Sequence, residues 1–470
     1  MIYMKRAMKN IRYIIAMLLL FVCSHTAMAQ TALSSYFLDG MLYNSKLNPA
    51  MKAERGYFSL AVGNTSVMTK GNVGITNFLY PRGENELATF MSGSVGADEF
   101  LNRMPENTKL GLNVDETIMA LGFRMFGGYF SFDLSMHASA DLSLPKGFFE
   151  FAKKGFQESA YSFSGLNINS MNYAAATIGY SHDIFDGFRF GVNAKYLVGL
   201  AYANILVDKL NVELSGQRWM IESHAQAQAA AYYDAKLKID ENNLISGVEF
   251  NTKDLLTHPS SSGFAIDLGF MYDMERFAPG LKLSASVVDL GFINWQYMMS
   301  GQSTDAKVEF NGFGEIDYNN AENVVNAELE RLAEDASKMV EFKYDGSSSV
   351  KIDLDATMYL GAEYNMPFYR GLSVGALYAQ RFSSYESGKW YEARGYLNLS
   401  PLKWFELSVN YGYGTFGTSL GWMLNFHPAG INLFVGSDYM ITKVTPQYIP
   451  LDNMNTHVTL GLNLALGRRK

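Results

Sequence analysis

The sequence is short of cysteine, proline and charge, and each shortage excludes a class of protein. Its one cysteine, Cys23, excludes a disulfide framework and a thiolate metal site. Eleven prolines in 470 residues exclude a collagen-like or proline-rich disordered chain. Only 18% of the residues are charged, and the formal net charge of −8 argues against nucleic acid as a partner, because a polyanion needs a basic surface.

Long hydrophobic runs are also missing. After Val22 no uninterrupted apolar stretch reaches the length of a transmembrane helix. The chain is nevertheless 48% hydrophobic and 14% aromatic, and it contains 42 glycines. This mixture suits a chain made mostly of strands, each with one apolar and one polar face.

The first 29 residues have the three parts of a secretory signal peptide. A basic region is followed by an apolar stretch over 13–22, and Ala27-Met28-Ala29 forms a cleavage signal before Gln30. The basic residues are Lys5, Arg6, Lys9 and Arg12. Cleavage after Ala29 would take the formal charge from −8 to −12 and would also remove Cys23. We therefore expect an exported protein that is either periplasmic or a β-barrel.

Side-chain alternation favours the barrel. From Phe130 to Leu144 every even position is apolar, and the odd positions are Ser, Asp or His. Strands of soluble proteins average about five or six residues, whereas a tilted strand across a bilayer needs about nine to eleven. Similar runs occur at 188–198, 351–364, 404–413 and 456–467. The pattern predicts an all-β protein, an antiparallel transmembrane barrel with lipid outside and a polar lumen.

The lengths of the connections predict how many strands cross the membrane. Fifteen alternating runs are present, but single-chain bacterial barrels have an even number. Treating 219–236 as the extension of an outer hairpin leaves fourteen strands within a barrel domain of 56–470. All the short turns then fall on one side, and the long outer loops are 69–115, 145–170, 207–261 and 297–350. In the last loop, 321–340 has the period of an amphipathic helix, which lies either over the outer mouth or free in solvent.

Several short motifs resemble known outer-membrane barrels. The stretches 266–269, 281–287 and 289–295 of the hairpin 264–295, and the stretch 359–364, resemble a Bacteroidota outer-membrane barrel family with an uncharacterised domain. The motif Leu47-Asn48-Pro49-Ala50 before the first strand is similar to the long-chain fatty-acid transporter FadL and its relatives. That resemblance implies a barrel of fourteen strands, an N-terminal segment folded into the lumen as a hatch, and passive transport of hydrophobic compounds. The chain ends without the terminal Phe common on such barrels.

The predicted hatch is 30–55, because this stretch is too long and too apolar for a simple tail. Its candidate ligand-lining residues are Tyr36, Phe37, Leu38, Met41, Leu42, Tyr43, Asn48 and Pro49. Such side chains would line an apolar pocket within a lumen that fourteen strands leave wide. Gly291 lies where the alternation shifts, so it is a candidate bulge or lateral opening, or else a plain irregularity of the strand.

No catalytic, cofactor or metal site is predicted, and we do not expect an enzyme. Ser135, His137, Ser139 and Asp141 share one strand face, but alternate residues are about 6.6–6.8 Å apart along a strand, which is too far for the direct hydrogen bonds of a triad. The glycines at 412, 414 and 417 match a dinucleotide fingerprint by letter only, and a tight hairpin explains them better. The remaining histidines have no metal-ligand spacing.

The sequence leaves two functions open. The first is passive transport of a hydrophobic or amphipathic small molecule across the outer membrane of a Gram-negative bacterium, with outer-membrane lipid around the barrel. The second is a structural or interaction barrel that serves secretion, motility or surface display through a protein partner. An outer-membrane hydrolase is the least favoured reading.

Overall fold

A computed structural model describes residues 32–60, 64–82, 87–155, 159–215, 218–231, 236–239, 245–249, 261–303, 306–310, 342–369, 371–440 and 455–466. The predicted signal peptide, the start of the predicted hatch (Gln30 and Thr31) and the predicted helix at 321–340 lie outside these residues.

The first half contains β1 (Gly56–Leu60), β2 (Thr65–Gly71), α1 (Ile75–Phe78), β3 (Leu79–Pro81), β4 (Leu87–Thr89), α2 (Ala97–Leu101), β5 (Asn107–Met125), β6 (Gly128–Pro145), α3 (Lys146–Lys154), β7 (Ser159–Ser162), β8 (Leu166–Phe185), β9 (Phe188–Ser215) and β10 (Arg218–Ala231). The second half contains β11 (Lys236–Ile239), β12 (Ile245–Glu249), β13 (Ser262–Asp273), β14 (Leu281–Ser303), β15 (Ala306–Phe310), β16 (Phe342–Asp353), β17 (Thr357–Asn365), β18 (Leu372–Arg381), β19 (Trp390–Leu402), β20 (Phe405–Gly414), β21 (Gly417–Phe426), β22 (Ile431–Ser437) and β23 (Thr456–Leu466).

The main sheet closes on itself with fourteen antiparallel crossings among the described residues. Strands β1 and β2 together form the first crossing, and β16 and β17 together form the eighth. Closure joins the first and last crossings, with Gly56 opposite Leu466 and Thr65 opposite Leu460. The predicted all-β antiparallel barrel and its number of strands are confirmed.

Alternation separates an apolar outer face from a polar inner face. On β23, Val458, Leu460, Leu462 and Leu464 are 41–55% exposed, whereas His457, Thr459 and Asn463 are buried. A lipid-facing wall needs this outer face, because lipid solvates apolar side chains and the ladder satisfies the backbone. No helix in the described ranges is long and apolar enough to span a membrane.

Strand β10 does not cross the wall but extends a hairpin at the end of β9, as the connection lengths predicted. The first part of β9, residues 188–198, pairs with β13, and the rest of β9 pairs with β10. The strands nevertheless run further than the predicted loop limits allow, covering 107–115, 166–170, 207–215, 297–303 and 342–350. Beyond the apolar band a hairpin keeps its hydrogen-bond ladder without needing an apolar face, so alternation alone underestimates strand length.

The shift of alternation in β14 arises from a bulge at Val288 and Asp289. These two residues stand opposite Asp267 alone, and Asp289 has a left-handed backbone with a φ of 62°. The predicted bulge residue, Gly291, lies two residues further on and pairs in register with Ala265. The sequence pattern shows where the inward face changes, but it does not show which residue is the extra one.

Three short turns lie at one end of the barrel, at 126–127, 186–187 and 403–404. We call it the short-turn end and the opposite end the long-loop end. At the long-loop end, α1, α2 and α3 surround an apolar cluster that includes Tyr80, Phe100 and Phe149. Gly414 pairs with Gly417 in a tight hairpin, where Gly417 has a φ of 83°. The glycine spacing in this stretch therefore belongs to a turn.

Candidate functional site: the segment inside the barrel

Residues 32–55, here called the inner segment, lie against the inner face of the barrel. Two short 3₁₀ turns, Leu33–Ser35 and Asn44–Lys46, give this segment a compact path. It contacts all fourteen crossings, so it lies across the whole lumen. Hydrogen bonds or ion pairs reach Ser59, Thr117, Asp133, Asp183, Asn193, Phe270, Ser286, Tyr396, Glu406, Ser437 and Asn463. Packing reaches the other three crossings through Tyr359, Gly375 and Met423.

Asp438 holds the start of the inner segment. Its carboxylate accepts hydrogen bonds from the backbone N–H of Leu33 at 2.9 Å, the N–H of Ser34 at 2.7 Å and the Ser34 hydroxyl at 2.6 Å. The Nδ1 atom of His457 lies 3.3 Å from the same carboxylate, and Arg394 donates to the carbonyl of Asp438. Ionised acceptors make the stronger class of hydrogen bond, so Asp438 is a strong anchor.

A second carboxylate holds the middle of the segment. Both oxygens of Glu406 accept from the N–H of Gly40, at 3.0 and 3.1 Å, while Asn425 donates to Glu406 at 2.8 Å. A Cβ atom at Gly40 would lie within 2.7 Å of Glu406 and 2.6 Å of His427. Only glycine lets the backbone approach the carboxylate this closely.

Most of the candidate ligand-lining residues are buried in two apolar clusters. Tyr36 and Phe37 pack with Tyr359 and Tyr396, and the Phe37 and Tyr396 rings meet edge to face at 5.0 Å. Leu38, Met41, Leu42 and Tyr43 pack with Tyr57, Met423 and Phe434. Asn48 donates to the carbonyl of Phe270, and Pro49 lies close to Gly191 and Gly269. Burial raises the pKa of the Tyr36 and Tyr43 hydroxyls, so both stay protonated and can donate hydrogen bonds.

A narrow recess of about 50 Å³, open to solvent, lies beside the inner segment. Four of the eight candidate residues line it: Tyr36, Phe37, Leu38 and Met41. Leu42, Tyr43, Asn48 and Pro49 do not. Met51 and Met271 add apolar surface, and polar or charged residues complete the lining: Asp39, Asn44, Lys52, Arg189, Lys282, Ser284 and Glu363. The recess is therefore amphipathic, unlike the apolar pocket expected from the segment alone.

The lumen wall contains a Ser–His–Asp trio, which the spacing along the strand had excluded. Ser135 Oγ lies 3.0 Å from His137 Nε2, and His137 Nδ1 lies 2.5 Å from Asp115 on the neighbouring strand. Spacing along the backbone was the wrong measure, because side chains two residues apart on one face can lean together. The acid is Asp115 and not Asp141. Ser135 is only 1% exposed, so a substrate carbonyl cannot reach its hydroxyl here, and the trio ties β5 to β6.

A second trio, absent from the sequence expectations, lies near the first anchor. Ser66 Oγ is 2.7 Å from His457 Nε2, and His457 Nδ1 accepts a hydrogen bond from the N–H of Asp438 at 2.9 Å. Ser66 is fully buried, so a substrate cannot reach its hydroxyl, and the trio ties β2 to β23 beside the first anchor.

A layer of ion pairs lines the lumen wall around the bulge. Lys195 lies 2.8 Å from Asp267 and 2.6 Å from Asp289, and Arg381 lies 2.8 Å from Asp355. The left-handed backbone at Asp289 brings its carboxylate towards the same ammonium group as Asp267. Sequence reasoning missed this layer, because the extra residue of the bulge changes which side chains of β14 face Lys195. In the described part of the chain, no group of three His, Cys, Asp or Glu side chains is placed to hold a metal ion.

Comparison with solved structures finds barrels over nearly the whole chain but with low similarity. The Pseudomonas putida toluene transporter TodX is 8% identical, with a TM-score of 0.37 over 94% of each chain. The CymD monoaromatic hydrocarbon channel is 10% identical, with a TM-score of 0.43 over 92% of this chain and 95% of that one. A Pseudomonas aeruginosa FadL homologue is 12% identical, with a TM-score of 0.40 over 93% of this chain and 98% of that one. These values carry no argument about function.

Comparison by sequence is more specific at the level of family. No curated protein matches the chain. Residues 49–438 match the model of DUF5723, described as a family of unknown function, and the chain therefore belongs to that family.

Proposed function

We propose that the protein is an outer-membrane barrel that passes hydrophobic or amphipathic small molecules, with the inner segment as its hatch. The observation that carries the proposal is that one segment contacts every crossing of a closed barrel and also lines an open recess. A purely structural barrel could fill its lumen with side chains of its own wall. This barrel instead uses a separate N-terminal stretch, which can move without breaking any wall hydrogen bond.

The lining of the recess supports an amphipathic passenger. Tyr36, Phe37, Met51 and Met271 offer aromatic and flexible apolar surface, and methionine adapts to varied shapes. Charged groups at the same recess offer partners for one polar end of a molecule. Small-molecule sites commonly combine an apolar lining with a few polar groups.

The test is uptake of the fluorescent probe 1-N-phenylnaphthylamine by intact cells. Cells that make the protein should take up the probe faster than cells with an empty vector. Met51→Glu should slow uptake, because it places a carboxylate on the apolar side of the recess. Met91→Glu is the matched control, since Met91 is 59% exposed outside the recess and should behave as the parent. Equal uptake with and without the protein would exclude this function.

A second candidate is an interaction barrel with a secretion or surface-protein partner. The layer formed by α1, α2 and α3 favours it, because this layer builds its own aromatic core at the long-loop end. A protein that co-purifies with the parent, and that is lost when 75–104 is replaced by a short linker, would favour this function over transport.

A further inference from the structure

Residues 382–389, here called the strap, connect β18 to β19 at the long-loop end. The strap begins directly after Arg381, whose guanidinium is paired with Asp355, and Phe382 donates to the carbonyl of Ala356. Within the strap, Gly388 donates to the carbonyl of Tyr385. These bonds give the strap a defined shape at its base and at its tip.

The strap contacts the far wall of the barrel. The Ser387 hydroxyl donates to the side-chain oxygen of Asn167 on β8 at 2.7 Å, and both residues are buried. The hydroxyls of Tyr385 and Tyr202 on β9 lie 3.3 Å apart. Lys109 on β5 donates to the carbonyl of Lys389 at 3.2 Å.

Strand order shows how far the strap reaches. The ninth crossing, β18, and the second, β5, are seven crossings apart in a closed ring of fourteen, so they face each other across the lumen. A loop from β18 that bonds to Lys109 therefore spans the mouth instead of standing up from its rim. The inner segment bonds to other groups, among them Asp438 and Glu406, and no bond described here joins it to the strap.

We propose that the strap is a second barrier in series with the inner segment, and that it keeps ions and polar solutes out of the lumen. Lys195, Asp267 and Asp289, from the layer of ion pairs in the wall, would attract hydrated ions once both barriers open. Resistances in series add, so removing one barrier leaves the resistance of the other. Loss of the inner segment alone then does not open an ion path.

The first test locates the strap. All variants carry Cys23→Ser, which removes the only cysteine of the chain. The pair Ser387→Cys and Asn167→Cys should form a disulfide on mild oxidation, seen as a mobility shift that dithiothreitol reverses. The control pair, Ser387→Cys and Ser59→Cys, should not, because Ser59 contacts the inner segment at Tyr43. Absence of the first cross-link in folded barrels would overturn the placement of the strap.

The second test measures ion conductance in planar bilayers with potassium chloride. Four proteins are compared: the parent, a deletion of 30–50 that keeps the signal, a shortened strap, and both changes together. The shortened strap replaces Ser383–Gly388 by Asn-Gly, a pair that suits a two-residue hairpin. Each single change should raise conductance less than about 2-fold, and the double change about 10-fold or more, because fourteen strands enclose a wide lumen.

Two results would overturn the proposal. One is full opening by deletion of 30–50 alone, and the other is no opening of the double variant. Neither bears on hydrophobic transport, which is measured separately as probe uptake. A folded barrel changes its mobility in SDS gels when the sample is heated, and this change checks that each variant is folded.

Discussion

At the scale of single residues, the inner segment is held by a few carboxylates of the wall. Asp438 and Glu406 each accept backbone N–H groups of the segment, and both are buried. A hydrogen bond to a charged group, such as those that Asp438 accepts, contributes about 1.5–3 kcal/mol. A small number of such bonds can therefore keep the segment in the lumen while leaving it able to detach.

Replacing Asp438 by alanine should release the start of the segment. The backbone N–H groups of Leu33 and Ser34 would lose their acceptor, at a cost of about 3 kcal/mol. Hydrogen exchange at these two amides should become about 100-fold faster, measured by mass spectrometry. Asp355→Ala is the control, because Asp355 pairs with Arg381 and does not touch the segment. Unchanged exchange in Asp438→Ala would show that other contacts hold the segment.

These anchors could not be found from the sequence. Asp438 lies 404 residues from Ser34, and Glu406 lies 366 residues from Gly40. Nothing in local spacing relates such positions. The apolar residues of the segment could be found because their composition is unusual for a tail, but which of them line the recess depends on how the segment folds.

At the scale of elements, alternation was a reliable guide to the strands. It predicted a strand that begins at residue 456, where β23 begins in the structure, because inward and outward positions carry opposite chemistry there. It was less reliable above the apolar band, where β9 continues to Ser215. It also missed the extra residue of β14, because Asp289 adopts a backbone conformation usually given to glycine.

The backbone at Asp289 makes a prediction about the order of two variants. Asp289→Gly and Asp289→Val both remove the pair with Lys195, so they differ mainly in backbone strain. Valine in a left-handed conformation costs about 1–2 kcal/mol, and Asp289→Val should be the less stable variant in urea by about that amount. The order should reverse at Asp353, an exposed strand position, where valine suits the strand better than glycine. The same order at both positions would contradict the bulge geometry.

The distribution of loops predicts which end faces outward. Epitope tags in 207–261 and 297–350 should bind antibody on intact cells, because the long loops lie on the outer side. A tag in the turn at 365–370 should bind only after the cells are opened. Accessibility in the opposite sense would mean that the orientation is reversed.

At the scale of the whole molecule, the fold is a closed wall with a separate occupant. The backbone groups of the fourteen crossings pair with one another. Each described hydrogen bond between the inner segment and the wall involves at least one side chain. Such a barrel stays folded when its occupant moves. The protein should therefore fractionate with outer membranes, and deletion of 30–50 should keep the strand-dominated circular dichroism spectrum. Recovery of the parent as a soluble periplasmic protein would exclude the barrel.

The central claim is that the inner segment must move for a hydrophobic molecule to pass. The measurement that tests it most directly is probe uptake with the segment tethered to the wall. Ser34 Oγ and Asn410 Oδ1 lie 3.4 Å apart, so Ser34→Cys with Asn410→Cys, in the Cys23→Ser chain, can form a disulfide. Uptake of 1-N-phenylnaphthylamine by intact cells should fall to the empty-vector rate when the pair is oxidised, and dithiothreitol should restore it, while either single cysteine has no effect. Equal uptake in the oxidised and reduced states would contradict the account.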